Sequence, residues 1–135
     1  MIYVDTNVII SFVDRLDPNH EKAHKLLESS KDIKVVSKLS LVELASVYFR
    51  AGLEDPLALA VYSTKHCKLE LVDVDFNLVL ANAFKLASLI KLRTLNLLHV
   101  SVCKSIGAKS FLTFDKEILE NADILREVDV KVVIT

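Results

Sequence analysis

Two short apolar segments each end at an aspartate and are followed by a helical pattern. Residues 2–4 lead to Asp5, and residues 110–114 lead to Asp115. Apolar strands that alternate with helices predict an α/β fold around a parallel sheet. Ligands of such sheets bind beyond the carboxyl ends of the strands. Both aspartates are therefore candidates for a functional site, although each is also a good N-cap for the helix that follows it.

The rest of the chain continues this alternation. It contains no internal repeat, low-complexity tract or linker, so we expect a single domain over residues 1–135. Strands are predicted at 2–4, 33–36, 69–74, 110–114 and 131–134. Helices are predicted at 7–15, 19–29, 38–51, 55–67, 75–90 and 94–107, with a short helix after residue 115.

The charge balance and the apolar pattern exclude several function classes. Seventeen basic residues against 18 acidic ones lack the positive excess of a dedicated duplex-DNA binder, so any nucleic acid must be held by local patches. No apolar stretch reaches the length of about 18 residues that a membrane-spanning helix needs, and no basic region typical of a signal peptide precedes residues 2–10. Cys67 and Cys103 are expected to be buried, reduced thiols. We therefore expect a cytoplasmic protein without membrane contact.

Glu43 stands in a helical segment that is apolar on nearly all sides, which predicts a buried helix. The residues one turn away from it are Leu39, Ser40, Ser46 and Val47. None of these neighbours is cationic, and a buried carboxylate without a partner is unfavourable. The sequence therefore predicts either a bound metal ion or a distant Lys or Arg beside Glu43 and does not decide between them.

Asn96 and His99 are three residues apart, near the start of another predicted helix. At this spacing two side chains lie on the same side of a helical turn. A half-buried imidazole with satisfied ring nitrogens would account for His99 without any function. A local hydrogen bond to the helix start would account for Asn96 in the same way.

Four segments together carry a family resemblance. They are V-D-T-N-V-I-I at 4–10, L-V-E-L at 41–44, R-T-L-N-L-L-H at 93–99 and L-T-F-D at 112–115. In this order and spacing they resemble the PIN domain family, and in particular the VapC-like toxins, the ribonuclease components of type II toxin–antitoxin pairs. The resemblance implies a PIN-like three-layer α/β/α domain with a small, mostly parallel central sheet flanked by helices.

The resemblance also implies roles for individual residues. Asp5, Glu43 and Asp115 fall on metal-binding acidic positions. Asn7 falls on a polar position that orients the pocket, and Thr113 on the hydroxyl position before the last aspartate. The implied cofactor is Mg2+ or Mn2+, which carboxylates and waters hold and which activates water for phosphodiester hydrolysis. The implied partners are an RNA substrate, an antitoxin protein and a second copy in a homodimer.

Asn96 departs from the family pattern, because the family usually has an acidic residue there. An amide carbonyl can contact a metal or a metal-bound water but cannot act as an ionised base. We therefore predict Asn96 as a weak ligand or a neighbour of the ligands, with reduced or absent activity. The alternative is a catalytically silent PIN domain that binds RNA or a protein. Lys38, Arg50 and Arg93 are candidates for contact with an RNA backbone.

A second motif favours a different chemistry. Residues 20–24 read H-E-K-A-H, which matches the H-E-x-x-H pattern of zinc hydrolases with His20 and His24 as ligands. Such a site needs a third ligand downstream, for which the chain offers His66, His99 or a carboxylate. The polar residues around the two histidines are typical of a surface amphipathic helix rather than the floor of a cleft. We keep the zinc hydrolase as a minor alternative.

Overall fold

The computed structural model describes residues 1–133, which form four parallel strands and eight helices. The predicted α/β fold is confirmed. The strands are β1 (Ile2–Val4), β2 (Lys34–Val36), β3 (Glu70–Leu71) and β4 (Ser110–Leu112). The helices are α1 (Thr6–Val13), α2 (His20–Glu28), α3 (Lys38–Arg50), α4 (Pro56–His66), α5 (Phe76–Ala87), α6 (Thr94–Ser105), α7 (Lys116–Glu120) and α8 (Ala122–Glu127).

The strand order brings the two ends of the sequence together. The sheet runs β3-β2-β1-β4, so β1 is central and pairs in parallel with both β2 and β4. In this register Val4 lies opposite Leu112, and the backbone N–H of Asp5 donates to the carbonyl of Leu112 at 2.9 Å. The residues that follow β1 and β4 therefore leave the sheet side by side.

The sheet separates two hydrophobic clusters, which accounts for the three layers. Tyr3, Val35 and Phe111 face one cluster, together with apolar residues of α5, α6, α7 and α8. Val4 and Leu112 face the other cluster, together with apolar residues of α1, α2, α3 and α4. Strands that are covered on both faces need apolar residues on both sides, which explains their short, continuous apolar segments.

Several sequence predictions differ from the structure in detail. β3 covers only two exposed residues of the predicted 69–74 strand, because it lies at the edge of the sheet. The predicted strand 131–134 is reduced to a single bridge between Phe111 and Val132, and Ile134 lies outside the described residues. The prediction that α3 is buried on all sides was wrong. Its outer face exposes Val42 at 66% and Phe49 at 70%, since only one side packs on the sheet and α4.

The cysteine prediction is confirmed, because Cys67 and Cys103 are both buried and free. Burial raises the pKa of each thiol to about 12, so both remain unreactive thiols at neutral pH. No helix within residues 1–133 combines the length and the apolar character needed to cross a membrane.

Phe111→Ala is expected to lower the free energy of unfolding by about 3–5 kcal/mol, as for other buried aromatic truncations. The Phe111 ring is fully buried and packs edge-on against Tyr3 with 5.5 Å between ring centroids. Urea denaturation followed by circular dichroism measures the change. Phe84→Ala is the matched control: its side chain is 76% exposed, so a loss below about 0.5 kcal/mol is expected. Equal losses in the two variants would contradict the assigned core.

Candidate metal centre

Asp5 occupies the position just beyond β1, at the centre of the carboxyl edge of the sheet. It is the N-cap of α1, and its Oδ1 accepts the backbone N–H of Thr6 at 2.8 Å. Its Oδ2 accepts the hydroxyl of Thr113 at 2.7 Å. The residue is only 4% exposed. Asp5 is therefore both a helix cap and a buried carboxylate. The capping role and a role in a functional site are thus compatible for this residue.

Thr113 links Asp5 to Asp115 through a single hydroxyl group. Its Oγ1 donates to Asp5 and accepts the backbone N–H of Asp115 at 2.9 Å. Asp115 in turn is the N-cap of α7 and accepts the N–H of Glu117 at 2.9 Å. Asn7 supports this connection, since its amide oxygen accepts the N–H of Phe114 at 3.1 Å and its amide nitrogen lies 3.4 Å from the Thr113 hydroxyl. The structure thus places Asn7 and Thr113 between the two aspartates.

Glu43 reaches the same edge from α3. Its Oε1 accepts hydrogen bonds from the Thr6 hydroxyl and from Nε2 of His99, the latter at 2.8 Å. Ligand atoms of Asp5, Glu43 and His99 lie within 4.8 Å of one another, the closest such group of three within residues 1–133. Asp115 is not part of this group but shares a cleft with Glu43. The side chains predicted from separate parts of the sequence therefore meet at one edge of the sheet.

The two closest carboxylates have opposite pKa shifts. Burial raises the pKa of Asp5 above its usual range. Burial also acts to raise the pKa of Glu43, but the hydrogen bonds from His99 and Thr6 outweigh it and hold that pKa below its usual range. In the described part of the chain no Lys or Arg nitrogen lies within 4.0 Å of Asp5, Glu43 or Asp115. This set of carboxylate oxygens, which within residues 1–133 form no ion pair with Lys or Arg, fits a hard divalent ion.

Asn96 lines a cleft of about 270 Å³ together with Glu43, Arg93, Leu95 and Asp115. Its amide nitrogen donates to Glu117 Oε2 at 3.2 Å. A carboxylate that the sequence analysis missed therefore lies beside the position where the family pattern has an acidic residue. Glu117 stands two residues after Asp115, and this D-x-E spacing at a helix start was the signal that could have identified it.

Arg93 holds Glu117 in this place. The Arg93 backbone N–H and its Nε donate to the Glu117 carboxylate at 2.6 and 2.7 Å. These bonds lower the pKa of Glu117. Arg93, rather than Thr94, is also the N-cap residue of α6. Arg50 lies beside Glu43 in a neighbouring groove, and Lys38 is exposed at the start of α3.

His99 was predicted to be half-buried and is 1% exposed. The prediction of satisfied ring nitrogens is confirmed: Nε2 lies 2.8 Å from Glu43 Oε1 and Nδ1 lies 2.8 Å from the Tyr3 hydroxyl. Because Tyr3 and Glu43 are far from His99 in sequence, spacing alone gave no sign of these contacts.

The H-E-x-x-H motif does not form a comparable centre. Nδ1 of His20 lies 2.9 Å from the carbonyl of Ser11, and the His24 ring stacks on Phe12 with 3.8 Å between centroids. Within residues 1–133 the only group of three potential ligands is Asp5, Glu43 and His99. The third ligand that a zinc hydrolase needs is thus missing from the described residues around His20 and His24.

Comparisons with known proteins agree with this fold. A family model described as PIN domain matches residues 2–124. No curated protein sequence matches the chain significantly. Among solved structures, the chain is similar to VapC20 from Mycobacterium tuberculosis, described as a sarcin-ricin loop cleaving toxin. The TM-score is 0.71 at 17% identity, over 89% of this chain and 94% of that one.

Two further solved structures are similar over nearly the whole chain. FitAcB from Neisseria gonorrhoeae gives a TM-score of 0.68 at 18% identity, over 99% of this chain and 97% of that one. VapBC2 from Rickettsia felis, bound to a DNA fragment from the promoter, gives 0.63 at 16% identity, over 98% of each chain. At these identities the similarity shows a shared fold.

Asp5→Asn is expected to raise the melting temperature of the metal-free protein at neutral pH. Because burial raises the pKa of Asp5, ionisation opposes folding, and this destabilisation grows as pH rises from the ordinary carboxyl pKa through the raised one. The variant removes the charge, so its advantage should shrink in acidic buffer, where Asp5 is protonated in wild type. Thermal unfolding in EDTA measures both effects.

Asp123→Asn, at an exposed position of α8, is the control for the same chemical change and should leave the melting temperature unaltered. A lower melting temperature of Asp5→Asn at neutral pH would contradict the electrostatic account.

Proposed function

The chain belongs to the PIN domain family, and on that premise we propose that it is a divalent-metal-dependent endoribonuclease that hydrolyses RNA phosphodiester bonds. The observation that carries the proposal is the approach of Asp5 and Glu43, which within residues 1–133 form no ion pair with Lys or Arg, at the edge of a cleft that Asp115 also lines. Such a group repels itself unless a cation is bound. Oxygen ligands of this kind favour Mg2+ or Mn2+.

Asp5, Glu43 and Asp115 are the proposed metal ligands and the catalytic residues. A bound ion would lower the pKa of a water, orient it towards the phosphodiester and neutralise the developing negative charge. Thr113 and Asn7 have a positioning role, because their hydrogen bonds fix Asp5 and the backbone that leads to Asp115. The proposed function therefore depends on the junctions after β1 and β4.

Asn96 is proposed as a weak ligand through its carbonyl oxygen, because its amide nitrogen is occupied by Glu117. Glu117 places a carboxylate, paired with Arg93, beside the position where the family pattern has an acidic residue. This favours a site that still binds a divalent ion, with an affinity below that of a pocket with an acidic residue at 96. Asn96 is also the observation that favours the alternative, a catalytically silent PIN domain that binds RNA or a protein.

The proposed partners follow from the same comparisons and from the surface. Similar solved structures include toxin–antitoxin complexes, which supports an antitoxin as the partner of this chain. Arg50 and Arg93 beside Glu43 provide cations for an RNA backbone.

Exposed apolar side chains such as Phe49 and Phe84 support a homodimer. The free, buried cysteines support a cytoplasmic location, and we propose one domain over residues 1–135.

Metal titration by calorimetry beside an RNA cleavage assay tests the proposal. We expect Mg2+ or Mn2+ to bind, RNA to be cleaved only with the ion present, and Asp5→Ala to abolish both. Asp123→Ala is the control and should retain both. Failure of wild type and of Asn96→Asp to bind metal and to cleave RNA would overturn the nuclease. If Asn96→Asp cleaves RNA and wild type does not, the protein is the catalytically silent PIN domain.

Asn96→Asp makes a second, independent prediction. The new carboxylate replaces an amide that donates to Glu117, so two negative charges would face each other in the metal-free protein. We expect a lower melting temperature in EDTA and a higher metal affinity, because the new carboxylate adds a charged oxygen ligand. Asn77→Asp, at an exposed position in α5, controls for the added charge. An unchanged affinity in Asn96→Asp would exclude residue 96 from the metal site.

A further inference from the structure

A chain of buried hydrogen bonds runs from the start of α3 to Glu43 through two other elements. Ser37 and Ser40 lie within 3.1 and 3.2 Å of the Tyr3 hydroxyl in β1. The Tyr3 hydroxyl lies 2.8 Å from Nδ1 of His99 in α6, and Nε2 of His99 lies 2.8 Å from Glu43. Tyr3, Ser37, Ser40 and His99 are almost completely buried. The chain therefore starts and ends on α3 and crosses both the sheet and α6.

For a neutral His99 ring, one set of bond directions lets every hydroxyl in this chain donate its single proton. Ser37 and Ser40 form a capping box in which each hydroxyl accepts a backbone N–H, so each has its own proton left to donate to Tyr3. The single proton of Tyr3 is then left for Nδ1 of His99. Since Nδ1 accepts, the neutral ring carries its proton on Nε2 and donates it to the carboxylate of Glu43.

Glu43 uses only one of its two oxygens in these contacts. Oε1 accepts both the His99 N–H and the Thr6 hydroxyl. In the structure of residues 1–133, Oε2 forms no hydrogen bond with a protein group. Two donors on Oε1 fix the rotation of the carboxylate and leave Oε2 as the oxygen for a ligand in the cleft.

We infer that His99 is a positioning residue, held in its Nε2–H form by Tyr3, which orients Glu43 so that one carboxylate oxygen faces a bound divalent ion. This inference rests on the proposed function and deepens it. Imidazole N–H groups that donate to a carboxylate in this way fix the geometry of metal ligands, and loss of such a contact lowers metal affinity or activity by about 10- to 100-fold.

A competing role for the same atom is direct metal ligation, since Nε2 is close to both Asp5 and Glu43. A ligating Nε2 would have to lose its proton and its bond to Glu43. The ring would then present an unprotonated nitrogen at 2.8 Å from a carboxylate oxygen, which is unfavourable unless an ion lies between them. The two roles therefore predict different tautomers in the metal-free protein and different responses to Mg2+.

Nitrogen-15 NMR of the histidine rings in the metal-free protein is the first test. We expect His99 to show the Nε2–H tautomer and to keep that proton when Mg2+ saturates the site. In Tyr3→Phe the preference for this tautomer should weaken, because Nδ1 loses its donor. An Nδ1–H tautomer in wild type, or loss of the Nε2 proton on addition of Mg2+, would overturn the positioning role.

Two substitutions of His99 separate its two contacts. Asparagine places an acceptor near the position of Nδ1 but is too short to reach Glu43, whereas glutamine places a donor near the position of Nε2. We expect His99→Asn to weaken Mn2+ binding by about 10- to 100-fold and to lower kcat with the KM for RNA unchanged. His99→Gln should lose clearly less affinity than His99→Asn. His66→Asn, at an exposed position in α4, should leave Mn2+ binding unaltered.

Equal losses of Mn2+ affinity in His99→Asn and His99→Gln would show that His99 contributes packing only and would overturn the inference. Melting temperatures of both variants in EDTA identify losses due to unfolding. Failure of the proposed function is distinguishable: if wild type and Asn96→Asp both bind no ion and cleave no RNA, the nuclease is refuted. The tautomer of His99 and its dependence on Tyr3 would still decide whether His99 orients Glu43.

Discussion

The parallel pairing of β1 with β4 is the interaction on which the rest of the molecule depends. The pairing joins segments that are more than a hundred residues apart, with Val4 opposite Leu112. Because both strands leave the sheet at the same edge, Asp5 and Thr113 become neighbours and form a hydrogen bond at 2.7 Å. The same pairing closes the two hydrophobic clusters above and below the sheet. The fold and the site thus both depend on the register between β1 and β4.

The candidate site brings acidic side chains together, and within residues 1–133 Asp5 and Glu43 form no ion pair with Lys or Arg. Asp5 is buried and has a raised pKa, and Glu43 is held ionised by its hydrogen-bond donors. Thr6, Thr113 and His99 orient the carboxylates through hydrogen bonds, and in the described residues neither carboxylate forms an ion pair with Lys or Arg. This arrangement favours a ligand that brings positive charge and does not favour the empty protein. Stability and function therefore impose opposite demands on Asp5.

The sequence predicted those parts of the molecule that depend on neighbours along the chain. Asp5 and Asp115 were predicted as helix caps from their position after a strand, and both cap a helix. The exposure of the outer face of α3 was not predicted, because the sequence does not distinguish a buried from an exposed position for an apolar residue such as Phe49.

The missed parts of the site depend on partners that are distant in sequence. Glu43 required a partner, but nothing in its own helix indicated that His99, 56 residues away, would provide one. Glu117 was missed because it is a common residue in a helical first turn, and only the contact with Asn96 and Arg93 gives it significance. Strand register and topology determine such contacts, and the spacing of residues along the chain does not reveal either of them.

The late position of β4 in the sequence has a consequence for synthesis of the protein. Asp115 and the strand that aligns it are synthesised more than a hundred residues after β1 and Asp5. A nascent chain that ends before β4 contains Asp5 and Glu43, but its β1 lacks β4 as a pairing strand. Asp5 then also lacks the hydrogen bond from Thr113. The complete site can therefore assemble only after residues 110–115 have been synthesised and β4 has paired with β1.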